Sequence, residues 1–315
     1  MSKFLVTGGA GFIGSHIVEA LVKRGDSVRI LDNFSTGKKE NLRGLKGRLE
    51  VMRGDIRSKA NCVKACRGMD FVLHQAALRS VPKSMNNPKE YNDVNINGTL
   101  NMLEAAKENK VKRFVFASSS SVYGDVSSFP ENESLSPQPI SPYALSKISG
   151  EYYCRIFTHH YRLSTIVLRY FNVFGPRQAL DDEYAVVVPK FINAILNNER
   201  PPIYGNGRQS RDFTFVFNVV NANLLAAKNN RVKHGVFNIA SGRDYSVLDL
   251  ARMINVILRK NIKPIFLKKR PGDVFRTLAD LSNSKKELNY QPKYSLAQGL
   301  RITISASLIK IAKNT

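Results

Sequence analysis

The chain predicts an α/β fold built on a doubly wound parallel sheet, and three observations lead there. Short β-branched runs alternate with helical patterns through the first half, as in parallel strands joined by right-handed crossovers. A glycine-rich turn, Thr7-Gly8-Gly9-Ala10-Gly11-Phe12-Ile13-Gly14, follows the first apolar run and opens a helical one. The next β-branched run ends on an acid, Asp32.

In order along the chain, the expected strands are Lys3 to Thr7, Val28 to Asp32, Glu50 to Arg53, Phe71 to His74, Arg113 to Ser118 and Ser164 to Tyr170, with helices between them. After Asn172, turn residues dominate in Phe174-Gly175-Pro176-Arg177 and from Pro201 to Gly207, which predicts substrate loops. A strand near Val236 to Ala240 and a helix from Val247 to Leu258 follow, and Leu300 to Ile311 reads as a terminal helix packed on the body. Residues 1–172 are therefore assigned to a nucleotide-binding domain that also receives segments near 210–242. Residues 173–315 form mainly a smaller, interleaved C-terminal α/β substrate lobe.

With 315 residues and 43% apolar content, the chain can bury a substantial core. Forty-eight Lys and Arg against 25 Asp and Glu give a formal charge of +23. That charge suits a polyanion, an anionic membrane surface or a phosphorylated small molecule. The basic residues are dispersed, and the densest runs, Lys107 to Arg113 and Lys263 to Arg270, lack interleaved aromatics. A solvated basic surface is therefore expected rather than a nucleic-acid footprint. No stretch is long and uncharged enough to span a bilayer, and the N-terminus enters a strand without a basic-then-apolar leader, so a cytoplasmic location is expected. Cys62, Cys66 and Cys154 read as scattered reduced thiols, and no metal is expected.

The glycine turn satisfies a dinucleotide spacing in two registers, Gly9, Gly11 and Gly14 or Gly8, Gly11 and Gly14. Glycines allow a tight turn, close approach of backbone amides to a pyrophosphate, and tight packing of helix on sheet. Asp32 stands about 20 residues on, where a carboxylate accepts from both ribose hydroxyls and repels a 2'-phosphate. The expected cofactor is NAD, with Asp55 and Ile56 facing its adenine.

In Ser141-Pro142-Tyr143-Ala144-Leu145-Ser146-Lys147, a four-residue step puts a phenol and an ammonium on one helix face. The cation is expected to lower a tyrosine pKa that starts near ~10, making Tyr143 a candidate base. A serine cluster, Ser118 to Ser121, lies upstream.

These features, with His74-Gln75-Ala76-Ala77, Asn95-Ile96-Asn97-Gly98-Thr99, Ser118 to Gly124, Arg169-Tyr170-Phe171-Asn172, Arg211-Asp212-Phe213 and Arg270-Pro271-Gly272-Asp273, resemble the extended short-chain dehydrogenase/reductase family. Within it, the resemblance is to the nucleotide-sugar epimerases and dehydratases, over nearly the whole chain. It implies a Rossmann sheet, NAD, a UDP-sugar substrate and a homodimer formed through helices matching Pro88 to Asn109 and Pro142 to Tyr161. It also implies that Tyr143 and Lys147 are catalytic, assisted by Ser119 and Ser120. The implied cofactor contacts are Gly8, Gly11, Phe12, Ile13, Gly14, Asp32, Asn33, Asp55, Ile56, Gln75, Ala76, Ala77, Asn95 and Tyr170, besides Tyr143 and Lys147. Substrate contacts fall on Arg79, Asn172, Val188, Tyr204, Arg211, Arg270, Asp273 and Thr277, with Ser119 and Ser120.

The family's dehydratases carry an Asp-Glu pair after the catalytic hydroxyl residue, and decarboxylating relatives keep the Glu. Here Ser120 and Ser121 occupy those positions, and they hydrogen-bond but supply no such acid and base near neutral pH. Oxidation and re-reduction at one carbon remain, the chemistry of a 4-epimerase. In the epimerases that the chain resembles, the residue seven positions after Arg270 sets the room at the sugar's second carbon, a tyrosine restricting the pocket to glucose and galactose and small residues admitting N-acetylated sugars; here it is Thr277. Asp181 to Lys190 is similar to the branch acting on UDP-N-acetylglucosamine, while Arg79 departs from the lysine common in glucose-restricted epimerases. The expected substrates are UDP-N-acetylglucosamine and UDP-N-acetylgalactosamine, with UDP-glucose and UDP-galactose also open. The alternatives are a UDP-glucuronic acid or strict UDP-glucose 4-epimerase, or a non-catalytic NAD-sensing or nucleic-acid-binding protein.

Overall fold

The computed structural model describes residues 1–179, 187–268 and 274–312. Six strands, β1 (Lys3–Thr7), β2 (Ser27–Asp32), β3 (Leu49–Arg53), β4 (Phe71–His74), β5 (Arg113–Ser119) and β6 (Thr165–Tyr170), join a later strand, His234–Ile239, in one sheet. Every pairing in it is parallel, in the order β3-β2-β1-β4-β5-β6 and then His234–Ile239. The chain thus winds outward from β1 in one direction, then restarts at β4 on the other side. That reversal opens a crevice at the carboxyl ends of β1 and β4, where α/β sheets bind their ligands.

The interior strands are apolar because helices cover both faces. One core cluster gathers Val6, Ile30, Leu73, Val115 and Leu168 with Ile17 and Leu21 of the helix α1 (Phe12–Lys23). The opposite face packs Leu5, Val72, Phe116 and Val167 against Met102, Leu103, Cys154 and Phe157. All three cysteines are buried and free, and burial pushes the thiols of Cys62 and Cys66 up to about 12.

Beyond β6, paired segments replace the large sheet. Val173–Phe174 pairs in parallel with Thr214–Phe215, Ser210–Asp212 antiparallel with Asp244–Ser246, and Pro202–Tyr204 in parallel with Ile265–Leu267. A third cluster, including Phe191, Phe213, Phe215 and Ile254, closes beneath the terminal helix Leu296–Ala312, which buries Leu296, Leu300 and Ile304. Among the described residues no helix is long and apolar enough to cross a membrane.

Candidate active site

The crevice is a cleft of about 980 Å³. Its floor is the glycine turn between β1 and α1. Gly8 sits at φ +65°, and a Cβ there would lie 2.8 Å from the Ala76 nitrogen, while one on Gly14 would lie 2.1 Å from the Gly8 oxygen. Only glycine permits that left-handed turn and that approach. α1 begins at Gly11 with no side-chain cap and no acid in its first turn, so its amide dipoles are aimed at the cleft without a competing carboxylate, an arrangement suited to a pyrophosphate.

Asp32, at the end of β2, is 7% exposed and is held by the Ala10 amide at 2.9 Å and the Phe34 amide at 2.8 Å, one on each oxygen. Each oxygen keeps a lone pair for a ribose hydroxyl. Asp55 accepts from Arg57 and from Asn33 Nδ2 at 2.9 Å, and the Arg57 guanidinium holds its carboxyl down to about 2. On the β4 side, Gln75 Nε2 donates to Asn223 Oδ1 at 3.1 Å, and Asn223 Nδ2 donates to the Tyr170 hydroxyl at 2.8 Å. Of the expected cofactor residues, all but Asn95 line the cleft. Asn95 lies behind it: its side chain clamps both backbone groups of Leu78 and donates to Ser146 Oγ at 3.0 Å.

Tyr143 and Lys147 reach the cleft from the helix Pro142–Tyr161. Ser141 caps it, its Oγ accepting from the Ala144 amide at 3.1 Å, and Pro142 stands at the first position. This fixes where the helix starts, and hence where Tyr143 points. Ser119 is the last residue of β5, and its hydroxyl pulls the pKa of the half-buried Tyr143 phenol down. The expectation that Lys147 lowers the Tyr143 pKa is corrected by the structure. Burial pushes that phenol above its ordinary value, outweighing the Ser119 hydrogen bond and the Arg79 charge, both of which pull it down. Lys147 Nζ donates to the Ala117 carbonyl at 2.8 Å and lies 5.8 Å from the Tyr143 ring centroid. Burial lowers the Lys147 ammonium itself to about 8.

The expected substrate residues divide. Asn172 Nδ2 donates to Thr277 Oγ1 at 3.0 Å and to the Asp212 carbonyl at 3.1 Å, so residues 105 apart in sequence meet. Arg211 is anchored beside them through the carbonyls of Ser210 and Phe275. Arg79 lines the cleft. Val188 is instead a buried member of the third core cluster, and half-buried Tyr204 carries the Lys190 ammonium 5.9 Å from its ring. Arg270, Asp273 and the first six residues of the stretch Asp181 to Lys190 lie outside the described residues.

Three groups escaped sequence reasoning. Asn223 joins Gln75 to Tyr170. Ser121 contacts Ser119 through its hydroxyl at 2.9 Å. Arg177 reaches back to Glu19 on α1 at 2.5 Å, while His16 Nε2 donates to the Pro176 carbonyl at 2.9 Å. Of these, Ser121 stood within the serine cluster and Arg177 was a charged residue inside an otherwise turn-forming stretch, whereas nothing in the sequence marked Asn223.

Residues 4–240 match the family model described as the NAD dependent epimerase/dehydratase family. A putative UDP-glucose 4-epimerase of Methanocaldococcus jannaschii is 38% identical over 303 residues, 96% of this chain and 97% of that protein. A UDP-N-acetyl-alpha-D-glucosaminuronate decarboxylase of Bacillus cytotoxicus is 35% identical over 313 residues, 96% of each. Among solved structures, a UDP-N-acetylglucosamine 4-epimerase from Methanobrevibacter ruminantium M1, in complex with UDP-N-acetylmuramic acid, superposes with a TM-score of 0.94 at 42% identity, covering 98% of this chain and 99% of that one.

Proposed function

The chain belongs to the NAD-dependent epimerase/dehydratase family, and from that premise we propose that it inverts the fourth carbon of a UDP-N-acetylhexosamine, interconverting UDP-N-acetylglucosamine and UDP-N-acetylgalactosamine. It is a nucleotide-sugar epimerase with NAD as its cofactor. The observation that carries the proposed reaction is the placing of Tyr143 and Lys147 together on the wall of the cleft that the glycine turn floors, with the Lys147 ammonium 5.8 Å from the Tyr143 ring.

When bound, NAD would supply the hydride acceptor and donor for the sugar's fourth carbon and would end the cycle oxidised. Tyr143 takes the proton of the 4-hydroxyl and returns it after the keto sugar has turned over. Ser119 donates a hydrogen bond to the oxygen whose charge changes, the Lys147 ammonium stands beside the Tyr143 ring, and the Arg79 charge favours the phenolate. Gly8, Gly14 and the first turn of α1 fit the pyrophosphate, and Asp32 the ribose, for the steric and charge reasons given above. Ser120 and Ser121 offer neither the acid nor the base that water elimination requires, and no Glu stands where decarboxylating relatives keep one, which argues against both reactions. Thr277, small and joined to Asn172, supports room for an N-acetyl group at the second carbon. Leu145, Tyr152 and Ile156 are exposed along the helix Pro142–Tyr161, which supports a homodimer through that helix.

The test is to incubate purified protein separately with UDP-glucose, UDP-N-acetylglucosamine and UDP-glucuronic acid and to separate the products by chromatography. A C4 epimer should accumulate fastest from UDP-N-acetylglucosamine. Tyr143→Phe should slow it at least ~100-fold, the usual effect of losing an acid-base group. Faster conversion of UDP-glucuronic acid, or turnover unaffected by Tyr143→Phe, would sink the proposal.

A further inference from the structure

Ser119 is held from behind by a residue to which the proposed mechanism gives no part. It ends β5 in an extended conformation and caps a single 3-10 turn, Ser120–Val122. That turn brings Ser121, two residues on, back over the Ser119 oxygen. The Ser121 amide donates to Ser119 Oγ at 3.2 Å, and the Ser121 hydroxyl donates to the same atom at 2.9 Å. A serine hydroxyl has one proton to give and two lone pairs to accept with. Both lone pairs of Ser119 are therefore engaged by Ser121. What remains is the proton, and the Tyr143 phenol is the group whose pKa the Ser119 hydroxyl pulls down.

We propose that Ser121 is a positioning residue: by saturating the acceptor sites of Ser119, it commits the Ser119 hydroxyl to donate to the oxygen at which charge develops. The inference rests on the reading of this site as a sugar 4-epimerase. It also fixes the division of labour. A Ser119 oxygen with no free lone pair cannot take the substrate proton, so Tyr143 must be the base and Ser119 its hydrogen-bond donor.

Besides Ser119, the Arg79 charge favours the Tyr143 phenolate and burial opposes it. Lys147 approaches on the same helix, His74 on β4 is buried and neutral with its pKa lowered to about 3, and Tyr91 stands edge-on to the Tyr143 ring at 6.4 Å. The Ser121 hydroxyl is placed against Ser119 Oγ, so its removal acts through Ser119.

Ser121→Ala keeps the amide donor but frees one lone pair, letting the Ser119 hydroxyl turn away from Tyr143 for part of the time. The expected result is a three- to tenfold fall in kcat with unchanged KM and unchanged NAD content. The Tyr143 phenolate absorbance, read as the difference from Tyr143→Phe without any sugar present, should titrate about 0.5 to 1 pH unit higher, the shift equivalent to that fall. Ser121→Thr, which keeps the hydroxyl, should restore both. A rise in KM with kcat and titration unmoved would make Ser121 a substrate contact and overturn the inference, as would a titration identical to that of the unaltered protein. Because the titration needs no sugar, it decides the role of Ser121 even if no UDP-sugar is epimerised, an outcome that would remove the proposed function instead.

Discussion

The Glu151 carboxylate grips the Arg169 guanidinium at two points, Oε2 to Nη2 at 2.7 Å and Oε1 to Nε at 3.0 Å, with both side chains 4% exposed. Glu151 lies one helical turn beyond Lys147, and the Ser118 hydroxyl also donates to it. The guanidinium carbon stands 4.7 Å from the Tyr123 ring, whose hydroxyl donates to Asn238 at 2.7 Å. The wall behind Lys147 is thus a buried ionic network. The Glu151 charge favours the protonated Lys147, although burial outweighs it.

Breaking that pair by removing one partner should be costly. Glu151→Ala leaves Arg169 buried with its charge uncompensated and with Nη1 already lacking a hydrogen-bond partner. The expected loss is about 3 to 5 kcal/mol. The double variant Glu151→Leu/Arg169→Met, apolar on both sides, should recover much of it. Urea unfolding of both proteins checks this, and equal losses in the two would show that packing rather than charge dominates.

Lys147 should trade stability for function. Burial lowers its pKa from 10.5 to about 8, so the unfolded chain binds the proton more tightly than the folded one. That destabilisation is fully present below pH 8 and disappears as pH rises towards 10.5. Lys147→Met should therefore abolish epimerisation yet stabilise the protein at pH 7, by about 1 to 3 kcal/mol. The gain should shrink steadily above pH 8. Thermal unfolding from pH 7 to 10 reads both the sign and the trend, and a variant less stable at pH 7 would show that the Ala117 hydrogen bond outweighs desolvation.

The nucleotide side of the cleft was legible because its chemistry is local. Gly8 to Gly14 lie in one turn, Asp32 at the end of the next strand, and Tyr143 and Lys147 one helical step apart. The rest arises only from folding. Asn223 meets Gln75 across 148 residues, and Thr277 meets Asn172 across 105. The direction of the Tyr143 pKa depends on how much of the ring is buried, which spacing does not reveal. Ser120 and Ser121 look alike in sequence, and only the 3-10 turn decides which of them reaches Ser119.

The contacts of Pro176 and Arg177 with α1 should slow cofactor exchange, since that segment and the glycine turn line the same cleft. Arg177 and Glu19 are about a quarter exposed, so their pair contributes at most about 1 kcal/mol. Glu19→Gln should accordingly speed the release of bound NAD by no more than about fivefold, while kcat at saturating NAD stays unchanged. Stopped-flow displacement of NAD measures this directly. An unaltered release rate would show that the segment does not guard the cofactor.

Thr277→Tyr addresses the sugar itself. Thr277 is 8% exposed, and its hydroxyl accepts from Asn172 while its backbone exchanges hydrogen bonds with Ser210 and Asp212. The backbone is held in place, so a larger side chain has to project into the space beside Asn172. If that space receives the 2-acetamido group, overpacking it should cost about 1 to 3 kcal/mol, or roughly ten- to a hundredfold in turnover of UDP-N-acetylglucosamine. Conversion of UDP-glucose, whose 2-hydroxyl is smaller, should persist at whatever rate the unaltered protein shows. Thr277→Val separates size from hydrogen bonding: it fills nearly the same volume but leaves Asn172 Nδ2 with the Asp212 carbonyl alone, and so should weaken both sugars alike. Equal loss on both sugars in Thr277→Tyr would mean that the ring displaces Asn172 rather than the acetamido group, and no loss on either would place the second carbon away from Thr277.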